Sequence, residues 1–160
     1  MTTKNQNLVG KRIGVFGKGG AGKSTFVVLL ATAMQKLGYE VSVLDADSTN
    51  MGLPQAMGIK NPPRTLLEYY GGMVFSGGKV TCPVDDPTPL ENAEIPITKL
   101  PKEYYARNED GIILLSAGKI GQHGPGAGCD GPITKIARDV IITTVKRSIT
   151  LIDFKAGFED

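Results

Sequence analysis

Apolar residues along this chain recur with two spacings, and the changes from one to the other mark out alternating strands and helices. Arg12-Ile13-Gly14-Val15-Phe16 is an apolar run of strand length. Phe26, Leu29, Leu30, Ala33, Met34 and Leu37 then recur at helical intervals, predicting a helix from about Gly22 to Gly38, a residue suited to a left-handed cap. Tyr39 to Leu44 alternates as a second strand, and the helical crossover between them makes the two strands parallel. Ser48 to Gly58 predicts a short helix with Met51, Leu53, Ala56 and Met57 available for burial, broken by Pro62-Pro63. Thr65, with Glu68 three residues on, opens a further helical turn that stops at Gly71-Gly72. Ile112 to Leu115 reads as a buried strand. Ile133, Ile136, Ala137, Val140, Ile141 and Thr144 share one face of a helix capped by Asp130, with Pro132 in its first turn and Lys146-Arg147 near its carboxyl end. Ile149 to Ile152 is the last strand, and residues 1–10 are an aperiodic polar tail. This alternation predicts an α/β fold with a mostly parallel sheet flanked by helices.

Composition narrows the picture. At 160 residues and 41% hydrophobic, the chain can bury one core, so residues 1–160 read as one domain. Residues 77–110 break the periodicity: five prolines lie between Pro83 and Pro101 among short β-like pieces, an irregular insertion. A net charge of +2, with Lys and Arg scattered, gives no nucleic-acid or membrane signal. Two distant cysteines, Cys82 and Cys129, with no signal peptide and no apolar stretch of transmembrane length, suit the cytoplasm. The 21 glycines, many at strand-to-helix junctions, bring backbone close to a ligand.

The chemistry concentrates at the first such junction. Gly17-Lys18-Gly19-Gly20-Ala21-Gly22-Lys23-Ser24-Thr25 satisfies G-x-x-x-x-G-K-[ST] between a strand and a helix, the context a phosphate-binding loop requires. Glycines allow successive backbone N–H groups to curl around phosphate oxygens, and the helix turns the positive end of its dipole to the same anion. Lys23 is the candidate for the β- and γ-phosphates, and Ser24 for magnesium. Asp45 and Asp47 leave the second strand at the edge where parallel sheets bind ligands. Asp153 ends the last strand, where a magnesium-side carboxylate is expected; the alternative is a turn or cap Asp.

These residues resemble a known family. Lys18-Gly19-Gly20-Ala21-Gly22-Lys23-Ser24 resembles the deviant Walker A motif, K-G-G-x-G-K-[ST], of the SIMIBI-class P-loop ATPases that include MinD, ParA, the nitrogenase iron protein and the carbon monoxide dehydrogenase maturation factor CooC. The resemblance implies that Lys18 crosses an ATP-dependent homodimer to the partner's phosphates. It also implies that Asp45-x-Asp47 is switch I, with Asp47 orienting or deprotonating the attacking water. Asp153-x-x-Ala156-Gly157 is similar to switch II, with Asp153 at the magnesium shell. Lys18, Lys23 and Asp47 are then the catalytic residues, and ATP and Mg2+ the cofactors.

Gly118-Lys119-Ile120, followed by a glycine-rich loop and Cys129, looks most like the CooC and iron-protein branch. That branch implies a dimeric ATP switch assisting metalloenzyme maturation or metal insertion, with a metalloenzyme client. CooC's C-x-C pair is here Gly128-Cys129-Asp130-Gly131, and the iron protein's second cluster cysteine is replaced in Lys155-Ala156-Gly157. One thiolate per chain disfavours a shared all-cysteine four-iron cluster. Cys129, with Asp130 or His123, is a candidate ligand for Zn or Ni at a dimer interface, or a plain small thiol. The alternatives are a nucleotide-dependent electron carrier and a ParA- or MinD-like partitioning or positioning ATPase. Family members continue beyond switch II with further strands and helices, so the expectation is a fold truncated after switch II.

Overall fold

The computed structural model describes residues 8–119, 130–144 and 147–157. Its centre is a five-stranded sheet built from β1 (Arg12–Val15), β2 (Glu40–Ala46), β4 (Ala106–Arg107), β5 (Ile113–Ser116) and β7 (Ser148–Phe154), in the order β1-β7-β2-β5-β4. β1, β7, β2 and β5 are parallel, and β4 closes one edge antiparallel to β5. The parallel relation expected of β1 and β2 is present, with β7 inserted between them.

Alternation along each strand sends apolar residues to both faces. Ile112, Leu114, Val41, Val43, Ile149 and Leu151 pack on the side of α1 (Lys23–Lys36), against Val27 and Ala31. Ile113, Leu115, Leu44 and Ile152 pack on the other side, against Leu66 and Leu67 of α3 (Leu66–Tyr69) and Ile133, Ile136 and Ala137 of α4 (Gly131–Asp139). A sheet covered on both faces by helices is the layering the sequence pattern predicts.

The helices depart from expectation in informative ways. In α1 the buried positions are Val27 and Ala31, with Val28, Leu30 and Met34 partly buried, whereas Phe26, Leu29 and Leu37 are exposed. The apolar residues occupy more than one face of this helix, so spacing alone does not identify the inward one. Gly38 does cap α1: its φ is 84° and the Tyr39 N–H reaches the Met34 carbonyl at 3.1 Å. α2 is only Leu53–Ala56, shorter than the 48–58 span expected. Residues 47–50 are instead committed to side-chain hydrogen bonds that hold a loop. The Thr65 cap forms, its hydroxyl accepting from the Glu68 N–H at 3.2 Å.

The largest correction concerns α4. It ends at Asp139, and Val140 turns extended into β6 (Ile141–Thr143), which pairs in parallel with β3 (Glu94–Pro96). The run Val140-Ile141-Ile142-Thr143-Thr144 is β-branched throughout and loses side-chain freedom in a helix. Here it finds a strand partner in the 77–110 segment, which holds β3, β4 and a 3-10 turn at Lys102–Tyr104. Ile95 and Ile142, paired across this small sheet, are both buried. Asp130 is the second correction: it makes no cap hydrogen bond, and its carboxylate accepts from the Ser48 hydroxyl and the Lys155 ammonium instead.

Sheet register aligns the site. Val15 lies opposite Asp153, Asp153 opposite Asp45, and Asp45 opposite Ser116, so the carboxyl ends of four parallel strands form one row. The phosphate loop, the Asp45–Asn50 loop and the segment after β5 all leave the sheet at this edge.

Candidate functional site: a phosphate loop facing an acidic strand edge

Residues 16–22 join β1 to α1 as an exposed loop. Gly20 and Gly22 have φ of 73° and 78°, a left-handed geometry that side chains disfavour, and Gly22 occupies the N-cap of α1. The first intrahelical bond runs from the Phe26 N–H to the Gly22 carbonyl at 2.9 Å, so helix geometry leaves the Lys23, Ser24 and Thr25 amides to the site. Lys23 Nζ donates to the Lys18 carbonyl at 3.2 Å, folding its side chain back over the loop. Lys18 is exposed.

A cavity of about 440 Å³ lies over this loop, lined by Gly19, Gly20, Gly22, Lys23, Ser24 and Thr25 on one side and Asp47, Thr49, Asn50 and Ala156 on the other. A larger cavity, of about 730 Å³, sits away from it between α3, the 77–92 region and Lys135, and includes none of the phosphate-loop residues. Chemistry rather than volume therefore assigns the site to the first.

Asp153 is wholly buried, and among the described residues neither carboxylate oxygen has a hydrogen-bond partner. Burial raises its pKa; the Ser24 hydroxyl, although outside hydrogen-bonding geometry, and the Lys23 and Lys119 ammoniums counter that in part, while Asp47 adds to the rise. An orphaned carboxylate beside a loop hydroxyl is a hard-oxygen pair that fits a magnesium ion, which prefers one or two such protein ligands and substrate phosphates.

Asp47 is differently held. Its Oδ1 accepts from the Thr49 N–H at 3.0 Å, the Thr49 hydroxyl at 2.8 Å and the Asn50 N–H at 3.1 Å. Burial would raise its pKa, but these bonds and the Lys119 charge outweigh it and hold the carboxyl below the ordinary value. Asp47 is thus ionised at neutral pH and fixed in direction. Asp45, almost fully buried, is pushed up to about 6 by burial and by Asp153, against the opposing pull of Lys119.

Two residues without an assigned role in the sequence reading complete the site. Lys119 Nζ donates to Asp45 Oδ2 at 2.7 Å and to the Asp47 and Asn50 carbonyls at 2.6 Å each. Asn50 Nδ2 donates to Ser24 Oγ at 2.8 Å, its orientation fixed by the Gly52 N–H donating to its Oδ1. Lys119 stands 69 to 74 residues from its acceptors along the chain, so no local motif marks it. Only the lysine's place just after an apolar strand, at the ligand edge, was a signal.

Cys129 and His123 lie outside the described residues. Among the described residues no group of three or more His, Cys, Asp or Glu is placed to hold a metal. Also among them, no helix is long and apolar enough to cross a membrane.

A glycine loop between the first parallel strand and its helix, facing acidic strand ends, defines a P-loop NTPase. Residues 9–85 match the ParA family model, described as the NUBPL iron-transfer P-loop NTPase, and over these residues the chain is similar to that ParA-like class. Similar proteins include an uncharacterised ATP-binding protein of Methanocaldococcus jannaschii, 35% identical over 92% of this chain and 59% of its own length. The carbon monoxide dehydrogenase accessory protein CooC of Rhodospirillum rubrum is 29% identical over 92% of the chain and 56% of its own length. An iron-sulfur cluster carrier protein of Clostridium perfringens is 56% identical over 34% of the chain and 18% of its own. The chain spans somewhat more than half the length of the first and second of these.

Proposed function

We propose that this chain binds and hydrolyses ATP with magnesium as the switch unit of a cytoplasmic, dimeric metal-centre maturation factor. The observation that carries the reading is the buried, unpartnered Asp153 carboxylate beside Ser24 at the base of the phosphate loop. Among the described residues nothing compensates that charge by hydrogen bonding, and a Mg2+–nucleotide complex would offset it. Similarity to CooC and to iron-sulfur carriers supports a metal or cluster as cargo, with Cys129 as the candidate ligand and Zn or Ni as candidate ions.

In this reading the loop amides and Lys23 bind the β- and γ-phosphates, and Ser24 and Asp153 hold the cation. When bound, Mg2+ neutralises charge on the β- and γ-oxygens. Asp47, ionised and aimed by its own loop, accepts a hydrogen bond from the attacking water. The water oxygen bonds to the γ-phosphorus as the bond to the bridging oxygen breaks, giving ADP and inorganic phosphate. A carboxyl with a lowered pKa is a poor resting place for the proton, so Asp47 orients the water and the proton ends on phosphate or solvent. Lys18 supplies transition-state charge across the dimer.

The test is steady-state hydrolysis and binding of a fluorescent ATP analogue. Lys23→Ala is expected to weaken Mg2+–nucleotide binding strongly. Lys18→Ala is expected to lower turnover by about 10²-fold or more while leaving affinity within a few-fold. Equal loss of both in Lys18→Ala would count against its trans role, and absence of magnesium-dependent nucleotide binding by the wild type would sink the ATPase reading.

A further inference from the structure

We infer that Lys119 is a positioning residue of this site: it sets the Asp47–Asn50 loop against the phosphate loop through the main-chain carbonyls of Asp47 and Asn50, and is not merely the counterion of Asp45. The role in turnover rests on the ATPase reading; the role in holding the loop does not.

An ammonium has three donors, and in Lys119 all three are spent, within 2.7 Å, on acceptors at the end of β2 and in the loop that follows it. A counterion for Asp45 would need only the carboxylate contact. The other two bonds go to neutral carbonyls that flank Thr49, and they are charge-assisted and sheltered, the Lys119 side chain being 7% exposed. They fix the loop at both ends of the turn whose interior amides bind Asp47 Oδ1. One end carries the Asp47 carboxylate. The other carries the Asn50 amide, which donates to Ser24 Oγ, the hydroxyl assigned to the cation.

The contact has a chemical consequence. A side-chain N–H on Ser24 Oγ takes one of the hydroxyl's two lone pairs, and its positive hydrogen would oppose a cation bound at the other. Binding of Mg2+ would therefore favour release of the Asn50 amide from Ser24, while the Lys119 bonds to the carbonyls allow the loop to keep its place. Lys119 thus lets a side chain exchange without releasing the backbone, and so without moving Asp47.

The decisive variant is the pair Lys119→Met with Asp45→Asn, which removes both members of the buried charge pair and so avoids the stranded Asp45 carboxylate that Lys119→Met alone would leave. Folding is checked by circular dichroism and thermal unfolding. Amide hydrogen exchange then reads the loop directly: the Thr49, Asn50 and Gly52 N–H groups are expected to exchange at least about tenfold faster than in the wild type, with the α1 interior unchanged. Turnover is expected to fall about tenfold with KM altered less than about threefold. Asp45→Asn alone keeps the lysine and its carbonyl bonds, and should retain wild-type loop protection. Wild-type protection and turnover in the folded double variant would overturn the proposal and leave Lys119 as a counterion. Loss of loop protection in Asp45→Asn alone would overturn it equally, since the carboxylate would then be the anchor. Failure of the wild type to bind Mg2+–nucleotide would instead defeat the ATPase reading, and it is detected before any variant is made.

Discussion

Asp47 and Asp153 are two carboxylates at one strand edge with opposite surroundings, and the contrast assigns their work. Three donors from its own loop hold Asp47 Oδ1, whereas Asp153 has none among the described residues. Asp47→Asn keeps an acceptor for those three bonds but removes the negative charge. Hydrolysis should fall by about 10²-fold while nucleotide affinity changes little, as single-turnover and titration measurements would reveal. Lys135 is buried on α4 and donates to the Asp86 carboxylate and carbonyl, each at 3.0 Å. The Thr88 hydroxyl, Lys135 and the Thr88 N–H together lower the Asp86 pKa from 3.8 to about 2. The folded pKa lies below the unfolded one, so the stabilisation is complete above about pH 3.8 and is lost as pH falls through about 2. Unfolding followed from pH 5 to pH 2 should show wild type losing more stability than Asp86→Asn. Parallel curves would contradict this assignment.

At the scale of elements, the junction of β5 and α4 sets where Lys119 begins. A Cβ added to Gly118 would lie 2.7 Å from Ile133 Cγ1, so the strand end and helix meet where only a hydrogen fits. Gly118→Ala should destabilise by about 1–3 kcal/mol through overpacking. Adding Ile133→Ala removes the clashing carbon, so the double variant should be more stable than the sum of the single costs predicts, as a denaturant double-mutant cycle measures. The site's legibility in sequence follows the same division between local and distant causes. The phosphate loop was readable because its function needs glycines and a lysine at fixed local spacing, and Gly38 because a helix end needs a left-handed residue. The end of α4 was not, since Ile133 to Thr144 satisfies a helical stripe while its β-branched second half pairs with Glu94–Pro96, some 47 residues earlier in register. Asn50 was silent as a site residue, and Lys119 was marked only by its place after an apolar strand, because their partners are distant in sequence and their significance lies in which atoms they reach.

For the molecule as a whole, the row Val15, Asp153, Asp45, Ser116 means that the site is assembled by the sheet and not by any one unit of it. Ligand binding there should stabilise the entire fold. At a nucleotide concentration of 100 times Kd the gain is about 2.7 kcal/mol, which raises Tm by about 5–10 °C for a chain of this size. On the proposed reading, Asp153 makes that gain conditional on magnesium. In the apo protein its buried carboxylate, unpartnered among the described residues, is a liability: with a folded pKa raised above the ordinary 3.8, it lowers stability as pH rises from there toward the folded value. Asp153→Asn removes the charge and keeps the volume. The apo variant is therefore expected to melt at or above the wild-type temperature at pH 7, while the extra shift that Mg2+ adds to nucleotide disappears. Thermal unfolding of both proteins with nucleotide and EDTA, and with nucleotide and Mg2+, separates the two effects. A variant less stable than wild type without ligand, yet still showing the full magnesium shift, would mean that the Asp153 carboxylate serves the fold and not the cation.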